Sequence, residues 1–275
     1  MPLSDAYVDF IAGWASGAAS VIALQPVDTV LTRWQAGLID VGRVNWTVSA
    51  RSLAQNFGVR ALWRGASPMV SAVPIQNAVL MGGYGIGQKY AEESAAQAKL
   101  MAIFIGGCTG GVLQSFLMSP VELIKVSQQC DLQADAISKG KTVARSMFSS
   151  SSWRGLSATL LRDGIPHGVW FASYEACKDI LTPLMGKDNV AVPLSSGAVA
   201  ATVAWAVGYP FDLIKTRQQA GNNLSVTETA SRLIAEADGR VVQGLYSGFR
   251  LKLLRAVPAS MIGFSVYEWV KLQLV

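Results

Sequence analysis

The chain has 275 residues, of which 51% are hydrophobic and only 15% charged, with a formal net charge of +5. Soluble domains carry roughly a quarter of charged residues, so this balance argues against a soluble domain and for a chain embedded in a bilayer. Three cysteines (Cys108, Cys130, Cys177) without ligand-like pairing and a single histidine, His167, exclude a disulfide framework and most multi-histidine metal sites, and leave little scope for a histidine-based triad.

The first uncharged stretch is Phe10–Val27. Asp5 and Asp9 stand before it, where a cleavable signal would carry basic residues, so none is expected. The stretch ends in Gln25-Pro26-Val27-Asp28-Thr29, with Leu31 and then Arg33 beyond. A loop with Arg43, Arg51 and Arg60 follows, and within it Ser49–Ala54 fits a short amphipathic surface helix. Trp63-Arg64-Gly65 opens the second span, Gly65–Gln88, which closes on Tyr84-Gly85-Ile86-Gly87-Gln88. The third span, Leu100–Val121, ends at Pro120-Val121-Glu122, with Lys125 and Gln129 beyond, and a second basic loop holds Lys139, Lys141 and Arg145. Trp153-Arg154-Gly155 opens the fourth, Gly155–Tyr174, which carries Arg162 and Asp163 inside. Asn189–Phe211 leads into Pro210-Phe211-Asp212, Lys215 and Gln219. A loop with Arg232 and Arg240, and a further amphipathic segment at Glu228–Leu233, precedes Tyr246-Ser247-Gly248 and the sixth span, Gly248–Tyr267, with Arg255 inside. About 20 helical residues cross a bilayer core, so all six stretches are candidate spans. Their small residues, as in Gly13-x-x-x-Gly17, Gly106-x-x-x-Gly110 and Gly107-x-x-x-Gly111, allow close helix approach.

Three motif families recur in one order. The proline motifs begin at Pro26, Pro120 and Pro210, about 94 and 90 residues apart; aromatic-initiated triplets stand at Trp63, Trp153 and Tyr246; tyrosine motifs begin at Tyr84, Tyr174 and Tyr267. The chain therefore reads as three repeats, residues 1–95, 96–186 and 187–275, each with two membrane helices joined by a long loop. The fold class is an all-α membrane protein with six transmembrane helices in three pseudo-symmetric two-helix repeats around a central cavity. The long loops collect the bases, which places them on the inner side and both termini outside.

A proline-acid-x-x-base motif repeated three times, with its aromatic-basic-glycine triplets, resembles the mitochondrial carrier family over essentially the whole chain. The resemblance implies alternating access in the mitochondrial inner membrane, with a closing network at each end of the cavity and no cofactor or nucleic-acid partner. Each proline is expected to kink its helix so that the inner halves converge. In the inner gate, Asp28 would pair with Lys125 and Glu122 with Lys215; Asp212 would meet position 31, where Leu31 leaves it without a base. Gln35, Gln129 and Gln219 fall where the family's bracing glutamines lie, and Arg33 is expected to reach the inner surface. On this reading Leu31→Lys adds a third pair, favours the outward-open state and raises thermal stability. In the outer gate Glu175 would pair with Lys271, Glu268 would accept from Gln88, and Lys178 would lack a partner. Arg64, Gly65, Arg154 and Gly155 would bind cardiolipin phosphates at helix N-termini. The working unit is expected to be a monomer.

Ionisable residues in mid-membrane are functional candidates because desolvating them is costly. Arg162 and Arg255 each lie seven residues after the glycine of their triplet, and Ala72 occupies that register in the first repeat. Either arginine could hold a carboxylate through two hydrogen bonds, and Asp163 could neutralise an amine. The three charges could equally satisfy one another as a structural cluster. Trp170 and Phe171 could form an aromatic wall or pack against lipid, and His167 could line the cavity or simply pack. The Arg162-Asp163 pair, the Leu253–Ala259 stretch and the second helix are similar to the ornithine/basic amino acid and carnitine/acylcarnitine branch. In that branch's ornithine carriers a glutamate is assigned to the side-chain amine; Gln76 stands there and supplies no counter-charge. An amino-acid-like zwitterion is the substrate this implies. A degenerate carrier serving as a scaffold or receptor is the competing class. A nucleotide carrier would need a further base where Ala72 stands.

Overall fold

The computed structural model describes residues 5–39, 45–94, 99–132, 153, 155–186, 189, 191–221 and 224–274. The loop bases Arg43, Lys139, Lys141 and Arg145, together with Arg154, lie outside them, as does the side chain of Glu268. Among the described residues all regular structure is helical. Six long helices appear where spans were expected: α1 (Asp5–Gln35), α3 (Ala66–Ser94), α4 (Lys99–Cys130), α5 (Leu156–Met185), α6 (Ala191–Gln219) and α9 (Phe249–Leu274). Their lengths of 26 to 32 residues exceed what a bilayer core needs. Three stretches, Phe10–Gln35, Lys99–Cys130 and Ala191–Gln219, are long and apolar enough to cross a membrane. The helices between them carry interior charge, such as Arg162 and Asp163 in α5 and Lys252 and Arg255 in α9. Shorter helices α2 (Trp46–Phe57), α7 (Val226–Glu236) and α8 (Val241–Leu245) occupy the long loops of the first and third repeats. Leu53 in α2 and Leu233 in α7 are buried on the inward stripe, the amphipathic pattern read from sequence. Ser225 and Glu228 form a reciprocal capping box at the start of α7.

Contacts divide the chain into two compact units, one formed by residues 1–75, 119–154 and 216–275, the other by 76–118 and 155–215. In the first unit, α1 runs on as helix through Pro26. A proline removes an N–H, which frees the carbonyl four residues earlier; in lipid that carbonyl must find another donor. The indole of Trp63 supplies it, donating to the Ile22 carbonyl at 2.9 Å. The same solution recurs at Pro74, where Trp14 donates to the Val70 carbonyl at 3.1 Å. Gln25 and Thr29, one turn apart, donate to the Arg64 and Leu62 carbonyls at 2.7 and 2.8 Å and pin the turn that leads into α3. That turn ends at Gly65 with φ of 82°, and Gly155 and Gly248 repeat it at 81° and 85°. A side chain disfavours this region. At Gly65 a Cβ would also come within 2.9 Å of Lys125 Cγ. Val30, Leu31, Leu53, Ala61, Leu62, Leu132 and Leu251 form a buried apolar cluster between α1, α2 and the start of α9.

In the second unit the two overlapping glycine pairs of α4 serve different neighbours. Gly106 and Gly110 face Tyr84 and Leu80 of α3, while Gly107 and Gly111 face Gly168 and Asp163 of α5. A Cβ on Gly106 would lie 2.8 Å from the Tyr84 carbonyl, and one on Gly107 2.7 Å from that of His167. Backbones this close are what small residues in membrane helices permit. In the first unit the expectation holds for Gly17, packed on Val73, but Gly13 faces open space.

Candidate functional site

Charged residues of the sequence motifs gather at two places, one in each unit. In the first, Asp28 is only 4% exposed. Lys125 Nζ lies 2.5 Å from its Oδ2, and Arg255 Nε 2.8 Å from its Oδ1. The Arg255 N–H is not aimed at the oxygen, so this contact is an ion pair without a directed hydrogen bond. Gln129 donates its amide to Asp28 at 3.4 Å and to the Thr29 hydroxyl at 3.1 Å. Lys252, which the sequence reading passed over, is also buried and adds positive field at Asp28. Its signal was available: Lys252 precedes Arg255 by three residues on one helix face. Two cations, Lys125 and Arg255, thus converge on the single Asp28 carboxylate.

In the second unit Arg162 forms a fork with its neighbour. Its Nε reaches Asp163 Oδ1 and its Nη2 reaches Oδ2, each at 2.7 Å. The remaining nitrogen, Nη1, lies 3.6 Å from Asp212 Oδ1. Asp163 is 3% exposed, and Ser115 Oγ lies 3.4 Å from its Oδ2. The carboxylate expected to meet a substrate amine is therefore engaged by Arg162. His167 Nδ1 stands 2.7 Å from the Asp163 carbonyl, which can only accept, so this nitrogen donates and His167 serves its own helix.

Several expected partners differ. The Asp28–Lys125 pair is present. Asp212 is not left without a base: Arg162 is beside it. Leu31 is 1% exposed within the apolar cluster rather than lining a ring of charges. Arg33 Nη1 donates to the Gln129 and Cys130 carbonyls at 3.0 and 2.7 Å and caps the end of α4. Arg217 repeats this device, donating to the Gln35 carbonyl at 3.0 Å while pairing with Glu236. Glu122 and Lys215 are both buried. Of the other two glutamines, Gln35 accepts from Thr216 at 3.2 Å and Gln219 donates to the Ser119 carbonyl at 3.4 Å.

Toward the other ends of the helices, Glu175 accepts from Lys99 at 2.7 Å. Lys178, expected to lack a partner, lies 3.5 Å from the same carboxylate. Gln88 donates to Glu92 at 2.9 Å. Lys271 sits 5.5 Å from the Tyr267 ring centre. Phe171 stacks on Tyr84 with centroids 4.4 Å apart, and Trp170 meets Phe171 edge-on at 5.0 Å. Gln76 is half-buried on α3. Arg64 turns its Nη1 to the Asp131 carbonyl at 3.2 Å.

Long helices in three repeats, with ionic clusters held in mid-helix, fit a membrane solute carrier. The sequence matches the family described as Mitochondrial carrier protein over residues 4–94, 96–184 and 186–275, and the chain belongs to that family of inner-membrane transporters of small molecules. It is 30% identical over 268 residues to the mitochondrial arginine transporter BAC2 of Arabidopsis thaliana, covering 94% of this chain and 89% of that protein. It is 29% identical over 284 residues to mitochondrial ornithine transporter 1 of Saccharomyces cerevisiae, covering 97% and 95%. A mitochondrial glycine transporter of Aspergillus terreus is 30% identical over 295 residues, covering 94% and 87%.

Proposed function

We propose that the protein exchanges an amino-acid-like zwitterion across the mitochondrial inner membrane by alternating access. The observation that carries this reading is the pair of arginines at one helical register, Arg162 and Arg255, each half-buried against carboxylates in mid-helix. A substrate carboxylate offers each of them a replacement acceptor of the same geometry. Relatives named for arginine, ornithine and glycine transport support an amino acid substrate. Gln76 would hydrogen-bond the substrate amine without neutralising it, which widens the choice to ornithine, arginine or carnitine and its esters. Asp28, Glu122, Lys125, Asp212 and Lys215, with Gln35, Gln129 and Gln219, serve as the inner gate on this reading. Glu175, Lys178, Gln88, Glu268 and Lys271 serve the outer one. Arg64 with Gly65, and Arg154 with Gly155, receive cardiolipin, the carrier works as a monomer, and both termini face the intermembrane space.

The test is uptake into liposomes reconstituted with the purified carrier and loaded with ornithine, arginine, glycine or carnitine. Exchange of at least one, lost in Arg255→Ala, is expected. Failure of all four with well-folded protein overturns the assignment.

A further inference from the structure

Each of the two register-equivalent arginines contacts the acid of a proline motif, and does so in the same cyclic sense. Arg255, on the second helix of the third repeat, meets Asp28 on the first helix of the first. Arg162, on the second helix of the second repeat, meets Asp212 on the first helix of the third. The matching position of the first repeat is Ala72, which brings no charge. Asp212 is also the acid whose motif-specified base is replaced by Leu31. We propose that Arg162 does the work expected of a base at position 31: it is a counter-ion of Asp212 in the conformation seen here, and Asp163 is the positioning residue that aims it.

The geometry explains why an arginine is needed. A guanidinium offers two edges, and one fork fixes the plane of the group. Nε and Nη2 are held on Asp163 at 2.7 Å, and Nη1 lies 3.6 Å from Asp212 Oδ1. All three side chains are at most 10% exposed. Asp163 is itself fixed by close packing, since a Cβ on Gly111 would fall on its carbonyl oxygen. A lysine supplies one charge at one point and cannot be oriented in this way. The consequence, which rests on the carrier reading above, is that a substrate carboxylate reaching Arg162 competes with Asp212, so that occupation of the site and release of a gate acid become one event.

A double-mutant cycle on the purified full-length carrier tests the pairing without any substrate. Melting temperatures are measured for wild type, Arg162→Gln, Asp212→Asn and the double variant. Arg162→Gln is expected to lower the melting temperature by several degrees, because two buried carboxylates lose a cationic neighbour, and the double variant to recover part of that loss. Strictly additive losses would overturn the proposal. Arg162→Lys, which keeps the charge, provides the same cycle if the glutamine variant fails to fold. It should melt lower than wild type and show a smaller effect of Asp212→Asn; an unchanged effect would count against an oriented guanidinium. Arginine and agmatine, its decarboxylated analogue, then separate the two readings. Uptake of arginine with none of agmatine supports competition by carboxylate, whereas equal exchange of both overturns the competition step. A failed uptake panel would leave the stability cycle readable.

Discussion

Replacing Leu31 by lysine completes the first proline motif on paper and adds a third charge pair, and sequence reasoning alone expects a stronger gate and a more stable protein. Burial reverses the sign. Leu31 is 1% exposed among Val30, Leu53, Leu62, Leu132 and Leu251. Losing a fully buried leucine forfeits about 1.5–3 kcal/mol of apolar burial, and an ammonium without a placed partner costs several kcal/mol more before any snorkelling relief. A net loss of about 3 kcal/mol corresponds to roughly 6–12 °C in melting temperature for a chain of this size. Tryptophan fluorescence during heating reads it directly, since the chain has 8 tryptophans. Leu31→Met keeps the volume and is expected to lose less than about 1.5 kcal/mol. A melting temperature for Leu31→Lys equal to or above wild type would refute the packing argument and restore the expectation of a third ion pair.

Trp63→Phe removes the donor to the carbonyl freed by Pro26 while keeping an aromatic ring; membrane hydrogen bonds average about 0.6 kcal/mol and reach roughly 1.7, so a drop of a few degrees is expected in the same melt. Gly111→Ala drives a Cβ onto the Asp163 carbonyl and should sharply reduce the yield of folded protein, whereas Gly13→Ala, which meets nothing within 4 Å, should be neutral in parallel preparations. Arg33→Ala strips both donors from the end of α4, and hydrogen bonds from charged groups are worth about 1.5–3 kcal/mol each; amide exchange near Gln129 and Cys130 should accelerate. Glu228 accepts the backbone N–H and hydroxyl of Ser225, which holds its carboxyl below the usual glutamate range. Its contribution to α7 is therefore complete above that range and lost as pH falls through the depressed value. Exchange protection over Val226–Glu236 should fall on acidification, and Glu228→Gln should abolish that dependence.

The legible parts of the molecule were those written as periodic pattern. Six spans and two amphipathic loop helices follow from apolar runs of bilayer length, four of them uncharged, and from i, i+4 stripes, because those patterns act through local geometry and burial alone. The Asp28–Lys125 contact was legible for a different reason: symmetry turns one motif into three related positions. The unread parts depend on which neighbour a side chain finds. Arg33 looks like a surface base in sequence, yet the carbonyls at the end of α4 offer it unsatisfied acceptors nearby. Leu31 looks like a missing charge, yet Leu53, Leu132 and Leu251 arrive from distant segments to enclose it.

Asp212 shows why symmetry alone misleads. The repeat assigns it a base at position 31, but a buried carboxylate requires a counter-charge, whichever residue can provide it. Arg162 lies 3.6 Å from it, at the register proposed above for the substrate. The charge missing from the proline motif and the charge added inside α5 are then two sides of one change, which sequence comparison between repeats lists as two separate irregularities. If so, restoring the motif at position 31 and deleting Arg162 are not independent edits. On the proposal made above, one guanidinium serves both gate and substrate and ties inner closure to the chemistry of the carboxylate carried.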